Sequence, residues 1–594
     1  VLFNRSTRLR IRRRFRMRRR QVKSATKQAS EQLEGRVIDR LDRLVAVRQF
    51  LAGWLLLVSL LIFCTIVQTL GLSRYYQTVQ PIPGGIYTEG IVGNYSNASP
   101  IYATGSVDTA VSRLIFAGLL TYDNQNKLVG DLATGYSVDQ TGKHYTVKLR
   151  PHLTWQDGQP LTAADVVFTY QLIQNPDAGS PLLSSWQGIV VTAVDTQTIQ
   201  FDLPNALSAF PYALTRGIVP QHILASVPPR QLRSNNFNTV KPVGAGPFSW
   251  NTIQIKGTDP ETTSTLIALK PFKHYHGGAP KLDGYVVRSY SNQDQMVAAF
   301  ERNDIMAMAG LRDFPKKLSD DHAHSDNFPL TAAVMTFFKT STGILADAQV
   351  RQALVRGADV GAIQDGLGYS TKPVREPLLL GQVGYDFKYQ QAGYDQSAAA
   401  AQLAAAGWIP GKDGVRVKNG QSLRFALSAE DTSENRYVVR QLASQWRKIG
   451  VVVDPVLQSA TDLQTTLEFH NYDALLYGIS IGIDPDVFVY WDSSQTDIRS
   501  NNRLNFSEWK STTADTSLEA GRTRSDPVLR AIKYRSFLSA WQSEAPALGL
   551  YQPRFLYVTN QPVHGLDLHT LNSDTDRYNS VSTWQIREAK VTNQ

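Results

Sequence analysis

The chain has 594 residues, more than one hydrophobic core can organise, and at about 150 residues per domain it should form three or four compact units. Hydrophobic residues at 42% and charged residues at 19% are an ordinary globular balance, so most of the chain is expected to fold. One cysteine, Cys64, excludes an intramolecular disulfide and any Cys₂His₂ or Cys₄ metal site. The net charge of +10 belongs to one end. Residues 1–49 carry 16 Lys/Arg and 4 Asp/Glu, a local +12, and the other 545 residues hold 45 basic and 47 acidic side chains, a net −2. The folded body therefore carries no basic excess for nucleic acid.

In chain order, residues 1–48 read as a basic cytoplasmic tail. Arg12-Arg13-Arg14, Arg16 and Arg18-Arg19-Arg20 form a tract without interleaved aromatics beyond Phe15, which favours contact with an anionic lipid leaflet over nucleic acid. Leu33, Val37, Leu41, Leu44 and Val45 fall at helical spacing and predict an amphipathic helix over residues 30–48. Residues 49–73 follow without a charge, long enough to cross a bilayer as one helix. The arginines before the span and the sparse charge after it place the N-terminus in the cytoplasm and the body on the outer face of the plasma membrane. The long basic region, and the lack of an Ala-x-Ala-like site after the apolar run, favour an uncleaved anchor over a processed signal; Cys64 follows Phe63 in mid-span, unlike a lipidation site.

From Ile82 onward short β-rich runs alternate with amphipathic helices, a mixed α/β pattern without internal repeats. Tyr145 to Leu149 alternates as a strand, and Thr162 opens a helix with a capping box closed by Asp165. Lys418-Asn-Gly reads as a turn between strands, Arg436 to Ile449 as a helix stopped by Gly450, and Val451 to Pro455 as the next strand. Asp157-Gly158 suits a tight turn, Trp155 and Trp408 read as core aromatics, and Gly244-Ala-Gly246 reads as a backbone bend, not a phosphate cradle.

Several segments together resemble one known family from about Gly84 to Asp567. They are Gly118–Asp123, Leu128–Val138, Thr146–Val167 with its Trp-Gln-Asp-Gly, Val219–Leu224, Pro242–Phe248, Gly277–Asp283, Val350–Leu354, Tyr394–Trp408 and Asp484-Pro-Asp486. In this order they are similar to the family 5 extracellular solute-binding proteins, which serve dipeptide, oligopeptide and nickel ABC importers. The resemblance implies an α/β, two-lobed periplasmic-binding-protein-like clamshell of type II, with an extra subdomain in lobe I, here preceded by one transmembrane helix. Lobe I is expected at 82–338, lobe II at 339–548 and the return to lobe I with the C-terminal tail at 549–594, with crossovers near Phe337–Ser341 and Ala547–Tyr551. The implied role is a membrane-anchored, non-enzymatic receptor that closes on a peptide or peptide-like solute and hands it to permease subunits. It works without cofactor or metal, as a monomer.

In peptide-binding members a carboxylate three residues before the Asp-Pro turn pairs with the ligand's α-amino group; that position here is Ile481. A buried ammonium without a counter-charge costs several kcal/mol, so either Glu89 or Asp484 substitutes or the solute lacks a free amine. Further ligand candidates are Tyr87, Asn94 and Tyr95 after the first strand, with Tyr477, Gly478, Ser480 and Asn505 around the second-lobe loop. Two rival chemistries compete. Gly478-Ile-Ser-Ile-Gly482 matches a nucleophile elbow that would use Ser480 with His564 or His569. His274/His276 and His322/His324 are pairs at i, i+2, which a strand would place on one face, but solvated histidines account for them. A third alternative is an anchored solute sensor that feeds no transporter.

Overall fold

The computed structural model describes residues 26–27, 30, 48–257, 264–318, 323–497, 499–500, 503–567 and 569–592, so the arginine tract, most of the predicted amphipathic helix and His322 lie outside the described residues. The chain divides into two units, residues 1–80 with 588–594, and residues 81–587.

In the first unit a helix runs over Arg48–Tyr76, and its Phe50–Gly71 stretch of 22 residues is apolar enough to cross a membrane. At 1.5 Å per residue that stretch is about 33 Å long, matching a hydrocarbon core of about 30 Å. Two of its hydroxyls are bonded within the helix, Thr65 to the Leu61 carbonyl at 2.7 Å and Thr69 to the Thr65 carbonyl at 2.5 Å. A bilayer interior asks for that internal satisfaction.

The second unit is built on two large sheets. The first has seven strands in the order His324–Pro329, Arg554–Thr559, Ala307–Leu311, Ile86–Val92, Gly284–Tyr290, Ser264–Pro271 and Phe248–Lys256. The second has six, in the order Lys372–Pro373, Ala547–Gln552, Ala332–Phe338, Ala474–Ser480, Arg424–Glu430 and Val452–Gln458. Parallel and antiparallel pairs mix in both, and helices cover them, giving two α/β lobes. A four-stranded antiparallel sheet, with Ala133–Val138, His144–Leu149, Thr198–Asp202 and Val190–Ala193 in that order, extends the first lobe.

The chain passes between the large sheets twice, at Leu330–Thr331 and at Pro553. These passages touch: the Leu330 N–H donates to the Pro553 carbonyl at 2.9 Å. The expected crossovers therefore move. Phe337–Phe338 and Ala547–Tyr551 lie inside strands of the second sheet, Phe337 opposite Ala547, because both strands run on through that sheet before the chain turns away.

Three of the quoted segments, Thr146–Val167, Val219–Leu224 and Pro242–Phe248, are joined by hydrogen bonds. The Thr162–Asp165 capping box forms, with the Thr162 N–H on Asp165 Oδ2 at 2.9 Å, while Asp165 Oδ1 accepts the Gln221 N–H at 2.9 Å. Asp157 accepts from or is bonded to His222 Nε2 at 2.7 Å, and the Gln156 amide bonds the carbonyls of Ile115, Gly246 and Phe248. Residues 245–247 bend as expected. The glycines serve a close approach: a Cβ on Gly244 would lie 2.1 Å from the Ile115 carbonyl oxygen. Trp155 and Trp408 are both buried. In the second lobe Asn419 (φ 54°) and Gly420 (φ 79°) make the hairpin turn, and Gly450 (φ 83°) follows the Ser433–Arg447 helix.

One group in the second lobe sets a pH response. Glu376 is fully buried; Oε1 accepts the Asp386 N–H at 3.3 Å and Oε2 has no partner among the described residues. Burial pushes its carboxyl up to about 8 from 4.5. A carboxyl raised on folding adds stability that is full below pH 4.5 and is lost as pH rises through about 8. Unfolding free energy should thus decline across that window by up to about 1.4 kcal/mol per pH unit. Denaturant melts of wild type and Glu376→Gln check this; the variant should lose that part of the slope.

Candidate functional site

Where the two passages cross, a cavity of about 480 Å³ opens between the lobes. The first lobe lines it with Asn126, Tyr136, Tyr145 and Tyr212, the second with Lys372, Gln382, Asp484, Arg530 and Gln552, and the first passage with Thr331. Its size falls in the range of small-solute sites.

Thr331 organises the floor. Its carbonyl accepts the N–H groups of Ile481 at 3.0 Å and Gly482 at 2.9 Å, and its hydroxyl donates to Asn572 Oδ1 at 2.8 Å. Gln382 braces the Asp-Pro loop, donating to the Gly482 carbonyl at 2.7 Å while accepting the Leu379 N–H at 2.7 Å. The wall of tyrosines comes from the small sheet and the loop after it. Burial raises all three hydroxyls, Tyr145 and Tyr212 up to about 12, and the Asp484 charge adds to this. They stay neutral donors and stacking surfaces at physiological pH.

The charged pair in the cavity is Asp484 with Arg530. The guanidinium holds the carboxylate at both oxygens, each at 2.5 Å, and also donates to the Tyr534 hydroxyl at 3.1 Å. Burial alone would lower Arg530, but the hydrogen bonds and charge of Asp484 outweigh it and hold the guanidinium above its usual range. Asp484 is neutralised within the protein. Beside it Arg522 pairs with Asp486 at 3.0 Å and lies over the Phe488 ring at 4.2 Å. The lobes touch there, with the Ser208 N–H and hydroxyl donating to the Arg522 carbonyl at 2.9 and 3.0 Å.

Of the residues singled out from sequence, Asp484 lines the cavity. Tyr87 and Glu89 do not face it: they sit within the Ile86–Val92 strand, in mid-sheet, fully buried. Glu89 takes Arg577 Nε at 2.9 Å and Nη2 at 3.2 Å and the Tyr285 hydroxyl at 3.0 Å, with Tyr578 also bonded, and Tyr87 bonds Tyr557 at 2.8 Å. Asn505 is likewise buried, its amide bridging the Asp492 and Trp509 carbonyls at 3.1 and 2.9 Å, which makes it a loop clamp. Asn94 is exposed, and the Tyr95 hydroxyl donates to the Thr239 carbonyl at 3.0 Å; neither lines the cavity. Tyr477 packs edge-on against Phe506, Gly478 and Ser480 are exposed at the end of their strand, and Ile481 is buried in the second-lobe core.

The nucleophile-elbow geometry does not form. Ser480 closes a strand paired to Ala332, the next helix begins only at Phe488, and the Ser480 hydroxyl has no histidine partner among the described residues. His276 is bonded to Asp131 at 2.6 Å and His274 packs beside Phe272. Tyr136, Tyr145, Tyr212, Gln382 and Arg530 were not legible as site residues. Tyr145 belonged to a strand pattern, and Arg530 meets Asp484 across 46 residues of chain with no local spacing to mark it.

The model for the bacterial extracellular solute-binding proteins, family 5, matches residues 127–500. The chain belongs to this family. Among curated relatives, the oligopeptide-binding protein AppA of Bacillus subtilis is 24% identical over 530 residues, covering 85% of this chain and 92% of that protein. Among solved structures, the ABC transporter substrate-binding protein CtaP of Listeria monocytogenes superposes with a TM-score of 0.72 at 22% identity, covering 85% of this chain and 99% of that one. NikZ of Campylobacter jejuni, solved with Ni(L-His), gives 0.68 at 24% identity, covering 84% of this chain and 99% of that one. Family 5 members share the type II two-lobed fold seen here, and the fold class expected from the motifs holds.

The Glu89–Arg577 pair generates a stability prediction. Removing one partner leaves the other charged in the core, so Glu89→Ala and Arg577→Ala should each lose about 3–5 kcal/mol. Glu89→Leu with Arg577→Met should lose less than either, since both charges leave together. Chemical denaturation of the full chain in detergent reads the difference.

Proposed function

We propose that this family 5 protein is the anchored, extracytoplasmic receptor of an ABC importer and binds peptides or peptide-like solutes in the 480 Å³ cavity between its lobes. The observation that carries the reading is that cavity, lined from both lobes and placed at the two hydrogen-bonded passages. A solute seated there contacts both lobes at once, so it favours the closed arrangement over an open one, and closure needs no chemistry. AppA, crystallised with a nonapeptide, supports a peptide-like solute by family membership. With the passages at 330–331 and 553, we place lobe I at 82–330 with the return from 554, and lobe II at 332–552. The Phe50–Gly71 helix is the anchor, the tail lies in the cytoplasm and the receptor acts as a monomer beside its permease subunits.

Ile481 is buried and Asp484 is neutralised by Arg530, so the cavity offers no spare carboxylate at the Asp-Pro loop for a ligand ammonium. Recognition by a free N-terminus is therefore not required.

Two measurements test this. Thermal unfolding of the full chain in detergent against tripeptide libraries, free and N-acetylated, should show stabilisation of about 2.7 kcal/mol at 100 times the dissociation constant. The two libraries should bind within about threefold of each other, under 0.7 kcal/mol. A tenfold preference for free amines would mean that Asp484 leaves Arg530 for the ligand, and silence from both would remove the peptide reading. For topology, alkaline phosphatase fused after Gln594 should be active outside the cell and the fusion should stay in carbonate-washed membranes; an inactive fusion would reverse the orientation.

A further inference from the structure

From Glu376 to Asp386 the chain leaves the second-lobe core, reaches the cleft and returns. Leu378 and Leu379 still belong to that core. Residues 379–383 line the cleft, five in a row, and Gln382 fixes them there by donating to the Gly482 and Ile483 carbonyls at 2.7 and 3.2 Å. Two glycines let the loop turn, Gly381 at φ 90° and Gly384 at φ 95°; a Cβ on Gly384 would lie 3.0 Å from the Tyr534 ring.

One side chain closes the neck of this loop. Glu376 Oε1 accepts the Asp386 N–H at 3.3 Å, so the outgoing residue holds the returning backbone. Below it, the Arg375 carbonyl accepts the Gln391 N–H at 2.8 Å. The Gln391 amide is bonded in both directions to Gly549, at 2.8 and 2.9 Å. This lower tie is made without Glu376, so the loop is free to loosen while its base stays in the fold.

Glu376 is fully buried, its Oε2 has no partner, and it forms no ion pair with a described residue. On the loop it faces Asp386 and Tyr385, with Arg375 beside it; Asp386 and Arg375 are exposed. The Pro527–Glu544 helix brings Tyr534 to Gly384, commits Arg530 to Asp484, and has Lys533 and Arg535 exposed. The Ala547–Gln552 strand carries no charged residue. Burial raises the Glu376 carboxyl to about 8; the bond from the Asp386 N–H opposes this, and the Asp386 charge adds to it.

We infer that Glu376 is a positioning residue of the solute cleft: its carboxyl closes the neck of the 377–385 loop, holds residues 379–383 against the solute, and loosens them when it ionises. A carboxylate offered one N–H at 3.3 Å, with its other oxygen unbonded, gains more from water than from this site. Opening the neck admits that water and gives up only the Gln382 bonds at the tip. The docked loop keeps the proton and the released loop gives it up. Docking is therefore firmest below pH 4.5 and is lost as pH rises through about 8. This rests on the cleft being the solute site, and it ties solute affinity to a proton on a residue that does not line the cleft.

Amide hydrogen exchange of the full chain in detergent tests the loop without any solute. Protection of 377–385, corrected for the intrinsic exchange rate, should fall in wild type by up to about tenfold per pH unit from about pH 5 to 8. In Glu376→Gln, which keeps a neutral group at the neck, it should stay level. Calorimetric titration with N-acetylated tripeptides of Ala, Leu and Phe then reads the cleft. Wild-type affinity should be on the order of tenfold lower at the upper pH than at the lower, the effect of a docked loop populated at about a tenth. Glu376→Gln should bind equally at both, and Glu376→Ala, without the tie, weakly at both. The wild-type series carries the test alone if Glu376→Gln does not fold. Level protection across this range in wild type overturns the inference, as does a pH response that survives Glu376→Gln. Loop release with unchanged affinity also overturns it and leaves the cleft as solute site. Absence of binding at every pH overturns the cleft reading and the positioning role with it, whatever the loop does.

Discussion

Glu89 and Arg577 stand 488 positions apart in the chain and meet at 2.9 Å, both buried from bulk solvent. The first lobe depends on that contact because its sheet is assembled from discontinuous chain: Ile86–Val92 lies at its centre, and Arg554–Thr559 returns after the whole second lobe has been made. Burying two charges costs several kcal/mol each unless their lone pairs and protons are used. Here Tyr285 and Tyr578 complete the carboxylate, the Tyr557 ring lies 5.8 Å from the guanidinium, and Tyr87 joins Tyr557, so the cluster is fully hydrogen-bonded. A partly satisfied network would be worse than an apolar core, which makes the arrangement specific to one register of strand and return segment.

The same closure positions the cleft. Once the return segment is seated, Asn572 accepts from Thr331 and donates to Asn126, and Leu571 accepts the Thr331 N–H. Thr331 in turn carries the loop that presents Asp484. The floor of the cavity is thus connected through a few residues to the core of the first lobe, while its ceiling belongs to the second. Other contacts between the lobes are part-buried or exposed: Ser208 on the Arg522 carbonyl, Lys372 on the Thr570 hydroxyl at 3.0 Å, Arg554 over the Tyr369 ring at 3.7 Å, Ser433 with Asp313, and Arg312 with Glu430 at 2.9 Å. Exposed pairs of that kind are worth at most about 1 kcal/mol. The two passages carry the covalent connection between the lobes and their mutual backbone hydrogen bond.

Much of the fold was legible because its signals are local. Tyr145, Val147 and Leu149 alternate inward along their strand, Thr162 and Asp165 close their capping box, and Asn419-Gly420 turns a hairpin, each within a few residues. Three of the motif segments are tied together in space by pairs that cross between them, Gln156 with Gly244, Asp157 with His222 and Asp165 with the Gln221 N–H, each pair joining residues that the segments carry in fixed order. The site was less legible. Glu89 read as a spare acid because nothing near it in sequence announces Arg577, and Asn505 read as a ligand group because a loop clamp and a ligand contact call for the same amide.

The sequence by itself determined the apolar span, the basic segment before it, the α/β alternation and the family, since each is written in contiguous residues or in motif order. Tertiary structure alone decided where the chain changes sheets and which acids are neutralised. The physical reason is that charge compensation is a contact between residues far apart in the chain: Asp484 meets Arg530 and Glu89 meets Arg577 only after the sheets have formed.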